Sequence, residues 1–294
     1  MAQGRAKDHL KTPEGLYRLF SERKNSLVSF KPERLPKLAV GEESTRQKIY
    51  LLHAVADVVE VCEYGACDKG ALRHICASST NLPTCIAYYP AADGFDLLIG
   101  LTSGDVVVVK LGAQMEAPGQ NSRPLGPIIF AADVAGDTSR LVSVAWIPTS
   151  HGCTFMAAHA SGSVFVYPKG TATLSEGSGS NKGYKGSQGR PPATEIRVLG
   201  GVTAAVVSPD GACIATAGVD GVMRIFSISG GPATAGFKSY YGGLLCLAWS
   251  QDGRYIATGG EDDLISIYGL VERFVVMWGE GHTSWVAAVA FDLE

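Results

Sequence analysis

The chain has 294 residues, of which 36 are glycine, 11 tyrosine and 10 phenylalanine, with 18% charged residues and a formal net charge of −3. That length supports a sizeable core, and many glycines with many aromatics suit short strands joined by tight turns rather than long helices. No apolar run approaches the 18 residues of a membrane span, and no charged-then-apolar leader opens the chain, so a soluble intracellular protein, cytoplasmic or nuclear, is expected.

Residues 1–48 form a basic arm, with 11 Lys/Arg against 6 Asp/Glu, and 49–294 are acidic, with 14 against 22. The arm lacks a dense Lys/Arg run and has few interleaved aromatics, so it reads as a solvated tail rather than a nucleic-acid-binding element. Within it, KTPEGLYRLF places Thr12 as a helix N-cap and Pro13 at the first helical position, which predicts a short docked helix. The seven cysteines, 62, 67, 76, 85, 153, 213 and 246, form no Cys-x-x-Cys pair; several lie in strand patterns, as small apolar residues in a reducing compartment.

Farther along, IAYYPAADGFDLLIGLTSGDVVVV (86–109) and VAWIPTSHGCTFMAAHASGSVFVY (144–167) share one layout of three short alternating runs split by turns. Between 169 and 193 the chain is Gly-, Ser- and Lys-rich and predicts a flexible insertion between strands of neighbouring units. Its GSGSNKG lacks the Gly-Lys-Ser/Thr of a phosphate loop.

The pattern then becomes a repeat. AVVSPDGACIATAGVDGVMRIF (205–226) overlays the segment CLAWSQDGRYIATGGEDDLISIY (246–268) at a spacing of 42: Ser208 on Ser250, Gly211 on Gly253, Thr216 on Thr258, Asp220 on Asp262. AAVAF, ending at Phe291, repeats CLAW once more. Asp220-Gly221 and Asp262-Asp263 fall where a tight strand connection needs φ > 0 and a carboxylate accepting backbone N–H groups, and Ser103-Gly104 and Ser161-Gly162 take that place upstream. Asp263 otherwise reads as solvated.

Repeats of about 40 residues with several strands each predict an all-β, WD-type β-propeller. About four blades are expected, with the first strand of a fifth at 287–291. The Trp-Asp pair that names such repeats is replaced by Val109-Lys110, Tyr167-Pro168, Phe226-Ser227 and Tyr268-Gly269. His282, after Gly281, stands where these repeats place a Gly-His pair; the turn aspartate it would meet lies beyond Glu294.

No catalytic or metal motif emerges. Gly-x-Ser-x-Gly and His-Glu-x-x-His are absent; His151 and Cys153 read as turn residues, and Glu261 to Asp263 as a turn rather than a cation site. No enzyme activity, metal or cofactor, small-molecule substrate, nucleic acid or membrane is expected.

The runs KSYYGGLLCLAWSQDGRYIATGGEDDLISIY and GEGHTSWVAAVAFD, with PEGLYRL and the 144–167 segment, resemble one WD-repeat family. It includes the fungal catabolite-repression protein CreC and the animal WD-repeat cofactor of ubiquitin-specific proteases. The resemblance is tightest over 238–292 and weak between roughly 40 and 80. It implies a seven-bladed ring that continues beyond this chain, and a non-catalytic partner that binds and activates a ubiquitin-specific protease. A ubiquitin-ligase substrate adaptor or a general assembly scaffold is the alternative. Tyr241 and Trp285, each a few residues before a first strand, are the expected partner-binding aromatics. Thr216, Thr258, Asp220, Asp262 and His282 are the expected structural residues of the repeat.

Overall fold

A computed structural model describes the strands within 9–76 and, beyond them, residues 81–91, 94–110, 128–169 and 191–292. The architecture is five four-stranded antiparallel sheets in chain order. The first contains β3 (Lys37–Glu43), β4 (Lys48–Val55), β5 (Val58–Glu63) and β6 (Arg73–Cys76). The second contains β7 (Pro83–Ala91), β8 (Gly94–Leu101), β9 (Val106–Lys110) and β10 (Ile128–Phe130). The third runs through β11 (Leu141–Trp146), β12 (Thr154–His159), β13 (Ser163–Pro168) and β14 (Thr194–Arg197). The fourth is β15 (Val202–Val207), β16 (Cys213–Gly218), β17 (Val222–Ser227) and β18 (Ala235–Lys238). The fifth is β19 (Leu244–Trp249), β20 (Tyr255–Gly260), β21 (Ile265–Gly269) and β22 (Phe274–Gly279).

Each sheet is a meander, so each strand pairs with the next in sequence, and successive sheets meet through their first strands: β3 on β7, β7 on β11, β11 on β15 and β15 on β19. One meander cannot bury both faces, and the apolar clusters accordingly form between sheets. Leu98, Phe130, Leu141, Trp146, Phe155 and Phe165 fill the space between the second and third; Met156, Ile196, Val202 and Ile214 that between the third and fourth. Met223, Leu244, Leu247 and Tyr268 join the fourth to the fifth. The residues standing in place of the repeat's tryptophan, Val109, Tyr167, Phe226 and Tyr268, are all buried at the ends of the third strands. These layers of stacked blades are those of the expected all-β propeller type.

Four expectations are revised. Among the described residues there are five complete four-stranded sheets, because the strands within 37–76 form one that the repeat pattern does not reveal. Its β3 lies inside the basic 1–48 segment. Residues 287–291 carry no strand among the described residues, since no neighbouring strand there supplies a ladder. The Gly/Ser-rich insertion connects β13 to β14 within the third sheet rather than joining neighbouring sheets, and 170–190 themselves lie outside the described residues. Finally, β1 (His9–Thr12) and β2 (Gly15–Arg18) pair as a hairpin, with Leu10 opposite Tyr17 and Thr12 opposite Gly15, where a helix was expected. Thr12 and Tyr17 favour extended backbone, and a Pro-Glu connection suits a turn as well as a helix start.

Four of the five first strands share one irregularity, from which β3 is free. The register shifts between Pro83 and Cys85, Leu141 and Ser143, Val202 and Ala204, and Leu244 and Cys246. Each shift marks a bulge that bends the inner strand. At two of the bulged positions a threonine satisfies a neighbouring carbonyl: Thr84 Oγ1 donates to Gly100 O at 3.1 Å and Thr203 Oγ1 to Ala217 O at 3.1 Å. Thr203 also donates to Leu244 O at 2.6 Å, tying the fourth sheet to the fifth.

Candidate protein-interaction face

In a four-stranded meander, the turn between strands two and three and the connection from strand four to the next sheet emerge at the same end. That end forms a loop face, and its backbone repeats. Thr102, Ala160, Val219 and Glu261 donate their N–H groups to Leu82, Arg140, Gly201 and Gly243, at 2.9, 2.9, 3.4 and 3.0 Å. At the end of the fourth strand, Val198 N bonds Gly162 O and Ser239 N bonds Gly221 O of the same sheet, both at 2.8 Å, while Val202 N of the fourth sheet bonds Ala160 O of the third at 3.2 Å and Val286 N bonds Gly260 O at 3.0 Å. These bonds pin each loop to the turn of its own sheet and to the connection that follows, so side chains that project from them are carried on ordered backbone.

Tyr241 projects in this way. Ser239 Oγ donates to Tyr241 O at 3.3 Å and Gly242 O at 2.9 Å, and Gly243 N donates to Glu261 Oε2 at 2.9 Å. Gly242, at φ 64°, lies so close to Glu261 that an added Cβ would sit 2.7 Å from Glu261 Cβ. With its backbone pinned, Tyr241 is 72% exposed. Trp285, next to the anchored Val286, is 60% exposed. Neither aromatic packs into the core beneath its loop. Three further apolar residues stand out on the same face: Tyr240 at 89%, Leu199 at 80% and Val219 at 61% exposure. Leu199 precedes Tyr241 by 42 residues, so the repeat register itself points to it; Val219 and Tyr240 have no such signal.

The structural residues divide. Thr216 and Thr258 are fully buried and make matching bonds, Oγ1 to Arg224 O at 3.4 Å and to Ser266 O at 3.5 Å. Asp220 accepts Val222 N at 3.1 Å, with Gly221 at φ 75°; Asp262 accepts Leu264 N at 3.3 Å, with Asp263 at φ 58°. Asp220 is nonetheless a surface group, paired with Arg224 Nη2 at 2.5 Å, and that guanidinium holds its carboxyl below the usual range. His282 is exposed. On the opposite face, Ser208 with Asp210 and Ser250 with Asp252 build identical turns, with Oγ to Oδ1 distances of 2.5 and 2.6 Å.

The third sheet solves the same loop problem with different residues. Ser161 occupies the turn where Asp220 and Asp262 stand, and donates to Asp137 from the preceding connection. Burial pushes Asp137 up, but bonds from Ser161, Ser163 and Ser139 outweigh it and hold the carboxyl well below its ordinary value. Behind it, fully buried His159 donates from Nδ1 to Ser139 O at 2.9 Å, and its Nε2 is buried without a partner. Burial pushes the imidazole pKa down, so it is neutral at pH 7.

Sequence comparison supplies the lineage. The WD domain, G-beta repeat model matches residues 194–227 and 234–269, which span the fourth sheet with β14 and the fifth sheet through β21. The chain is a WD-repeat protein. It is 30% identical over 323 residues to mouse WD repeat-containing protein 20, covering 97% of this chain and 53% of the mouse protein. It is 32% identical over 215 residues to the Caenorhabditis elegans WD repeat-containing protein 20 homolog, covering 67% of this chain and 27% of that protein. The WD-repeat chain thus spans about half the length of its mouse relative, and less of the nematode one. Among the described residues, no three His, Cys, Asp or Glu side chains gather as a metal site, and no helix is long and apolar enough to cross a membrane.

Proposed function

We propose that this WD-repeat chain is a non-catalytic scaffold that docks on a ubiquitin-specific protease through its loop face and raises that enzyme's activity. The observation that carries the reading is the pair Tyr241 and Trp285, large aromatics held out from hydrogen-bonded loops on one face. Rigid aromatics lose little conformational freedom on binding and are favoured as anchors. The family resemblance over 238–292 selects the class of partner, and the likeness to WD repeat-containing protein 20 extends over nearly the whole chain. Activation requires no chemistry from the scaffold. A surface that binds the competent conformation of an enzyme about 1.4 kcal/mol more tightly than the idle one shifts that equilibrium tenfold. The scaffold works without cofactor, metal or nucleic acid, in the cytoplasm or nucleus; Cys153, Cys213 and Cys246 are free thiols, as a reducing compartment keeps them.

The test is reconstitution with a panel of purified ubiquitin-specific proteases. Co-elution with one of them and faster turnover of a ubiquitin conjugate support the reading. Failure to bind any, with capture of a ubiquitin-ligase core subunit instead, replaces it with the adaptor reading.

A further inference from the structure

The charges of this molecule are sorted by face. On the loop face, the described connections at 102–105, 131–140, 160–162, 198–201, 219–221, 239–243, 261–264 and 280–285 carry eight carboxylates against one arginine, Arg140, and one histidine, His282, with exposed Arg197 and Lys238 ending the strands that lead into two of them. On the opposite face, the described connections at 147–153, 169, 208–212, 228–234, 250–254 and 270–273 carry three carboxylates, Asp210, Asp252 and Glu272, balanced by Lys169, Arg254 and Arg273. Exposed apolar side chains are more numerous on the loop face. Tyr240, Tyr241, Leu199 and Val219 come from two adjacent loop-face connections and the turn between them. Asp220 lies against Gly200 and Glu261 against Gly242 of those connections, and Asp262, Asp263 and Glu280 stand in the next turn and connection of the same face. Asp220 is offset by Arg224, and Glu261 is spent partly on Gly243 N–H; Asp262, Asp263 and Glu280 have no cationic partner among the described ion pairs.

We infer that the loop face receives a partner segment in which apolar side chains are flanked by lysine or arginine, the apolar groups covering Tyr240, Tyr241, Leu199 and Val219 and the cations meeting the carboxylate rim. This rests on the proposed docking role and specifies the chemistry of what docks. An apolar patch alone would accept any hydrophobic segment. A predominantly acidic rim rejects acidic segments by like-charge juxtaposition and draws basic ones in from a distance, which appears as salt-dependent association. The neutral opposite face offers no such selection, although Val271 and Phe274 are exposed there.

The experiment uses the full chain and short fluorescein-labelled peptides of alternating lysine and leucine, with glutamate–leucine counterparts, followed by fluorescence anisotropy from about 50 to 500 mM salt. The lysine–leucine peptide is expected to bind at least tenfold more tightly at low salt and to lose that advantage as salt rises. The variant D262N/D263N/E280Q keeps the turn acceptors and removes three charges; it is expected to cost about tenfold in affinity and to flatten the salt dependence. Tyr240→Ser is expected to weaken binding at every salt concentration, and Phe274→Ser on the other face to leave it unchanged. Equal binding of the two peptides, or equal loss with Phe274→Ser, overturns the inference. Protease binding that proves insensitive to salt and to the triple variant overturns it too while leaving the docking role intact, whereas no protease binding with the peptide selectivity preserved overturns the docking role alone.

Discussion

Asp263 occupies, at φ 58°, the turn position that Gly221 fills at φ 75° one repeat earlier. A left-handed backbone costs an L side chain about 1 kcal/mol, less for Asp than for Ala because a short polar side chain can bond locally. Asp263→Gly is therefore expected to stabilise the fold by about 0.5 kcal/mol, and Asp263→Ala to destabilise it by about as much. Asp262→Ala removes the acceptor for Leu264 N and is expected to cost about 1 kcal/mol. Urea midpoints for the three variants check this ordering; a stabilising Asp263→Ala would show that the turn relaxes.

The 42-residue register was legible because its markers are turn residues whose chemistry fixes backbone geometry. Ser208-Asp210-Gly211 and Ser250-Asp252-Gly253 recur in sequence and form the same turn, Gly211 and Gly253 having φ of 69° and 72°. The sheet over 37–76 carries no such marker: β4 and β5 are apolar-rich runs separated by two residues, which periodicity alone cannot resolve into a blade. Outer strands such as Thr194–Arg197 and Ala235–Lys238 are short and mostly polar or small, and only pairing with a third strand makes them strands. On the loop face, Tyr241 and Trp285 could be placed by their distance from a first strand. Val219 could not, because its exposure depends on how the turn between β16 and β17 meets Gly201 of the connection before it.

Thr203 gives a second stability test. Its hydroxyl donates to carbonyls in two sheets, Ala217 O and Leu244 O. Thr203→Val keeps the shape and leaves both carbonyls short of a donor, at an expected cost of about 1–2 kcal/mol. Val142 and Leu245 occupy the corresponding bulges of the third and fifth sheets, so an apolar side chain fits there. A loss of that size in the denaturant midpoint, with an unchanged m-value, would place the effect in the hydrogen bonds rather than in the compactness of either state.

His159 predicts a pH dependence. Its folded pKa is lowered from 6.5, chiefly by burial, while the Ser139 carbonyl and the charges of Asp137 and Asp105 pull the other way. The unfolded chain therefore binds a proton more readily at this site than the folded chain. This contribution is fully present above pH 6.5 and is lost as the pH falls through and below that value. The expected result is a melting temperature that drops between pH 7 and pH 5 more steeply in the parent than in His159→Gln, which removes the titrating group. Parallel curves would show that other groups dominate over that range.

The docking surface is tested by separating affinity from stability. Tyr241 and Trp285 are exposed, so truncating them removes little buried area from the folded chain, and Tyr241→Ala and Trp285→Ala are expected to shift the melting temperature by no more than about 1 °C. A partner that covers them loses a desolvated aromatic anchor, which costs about 2 kcal/mol, roughly thirtyfold in Kd, for each. The two sit in connections on either side of the fifth sheet, each tied to the turn between β20 and β21: Gly243 bonds Glu261, and Val286 bonds Gly260. If one partner spans both connections, the double variant should lose close to the sum of the single losses, because the anchors occupy separate pockets rather than one. Gly242→Ala supplies the control on loop position: its added Cβ runs into Glu261 and shifts the backbone that carries Tyr241, so it should weaken binding while every aromatic remains in place. Titration calorimetry with the co-eluting ubiquitin-specific protease reads all four variants. Unchanged affinity in both single aromatic variants would move the docking surface off the loop face.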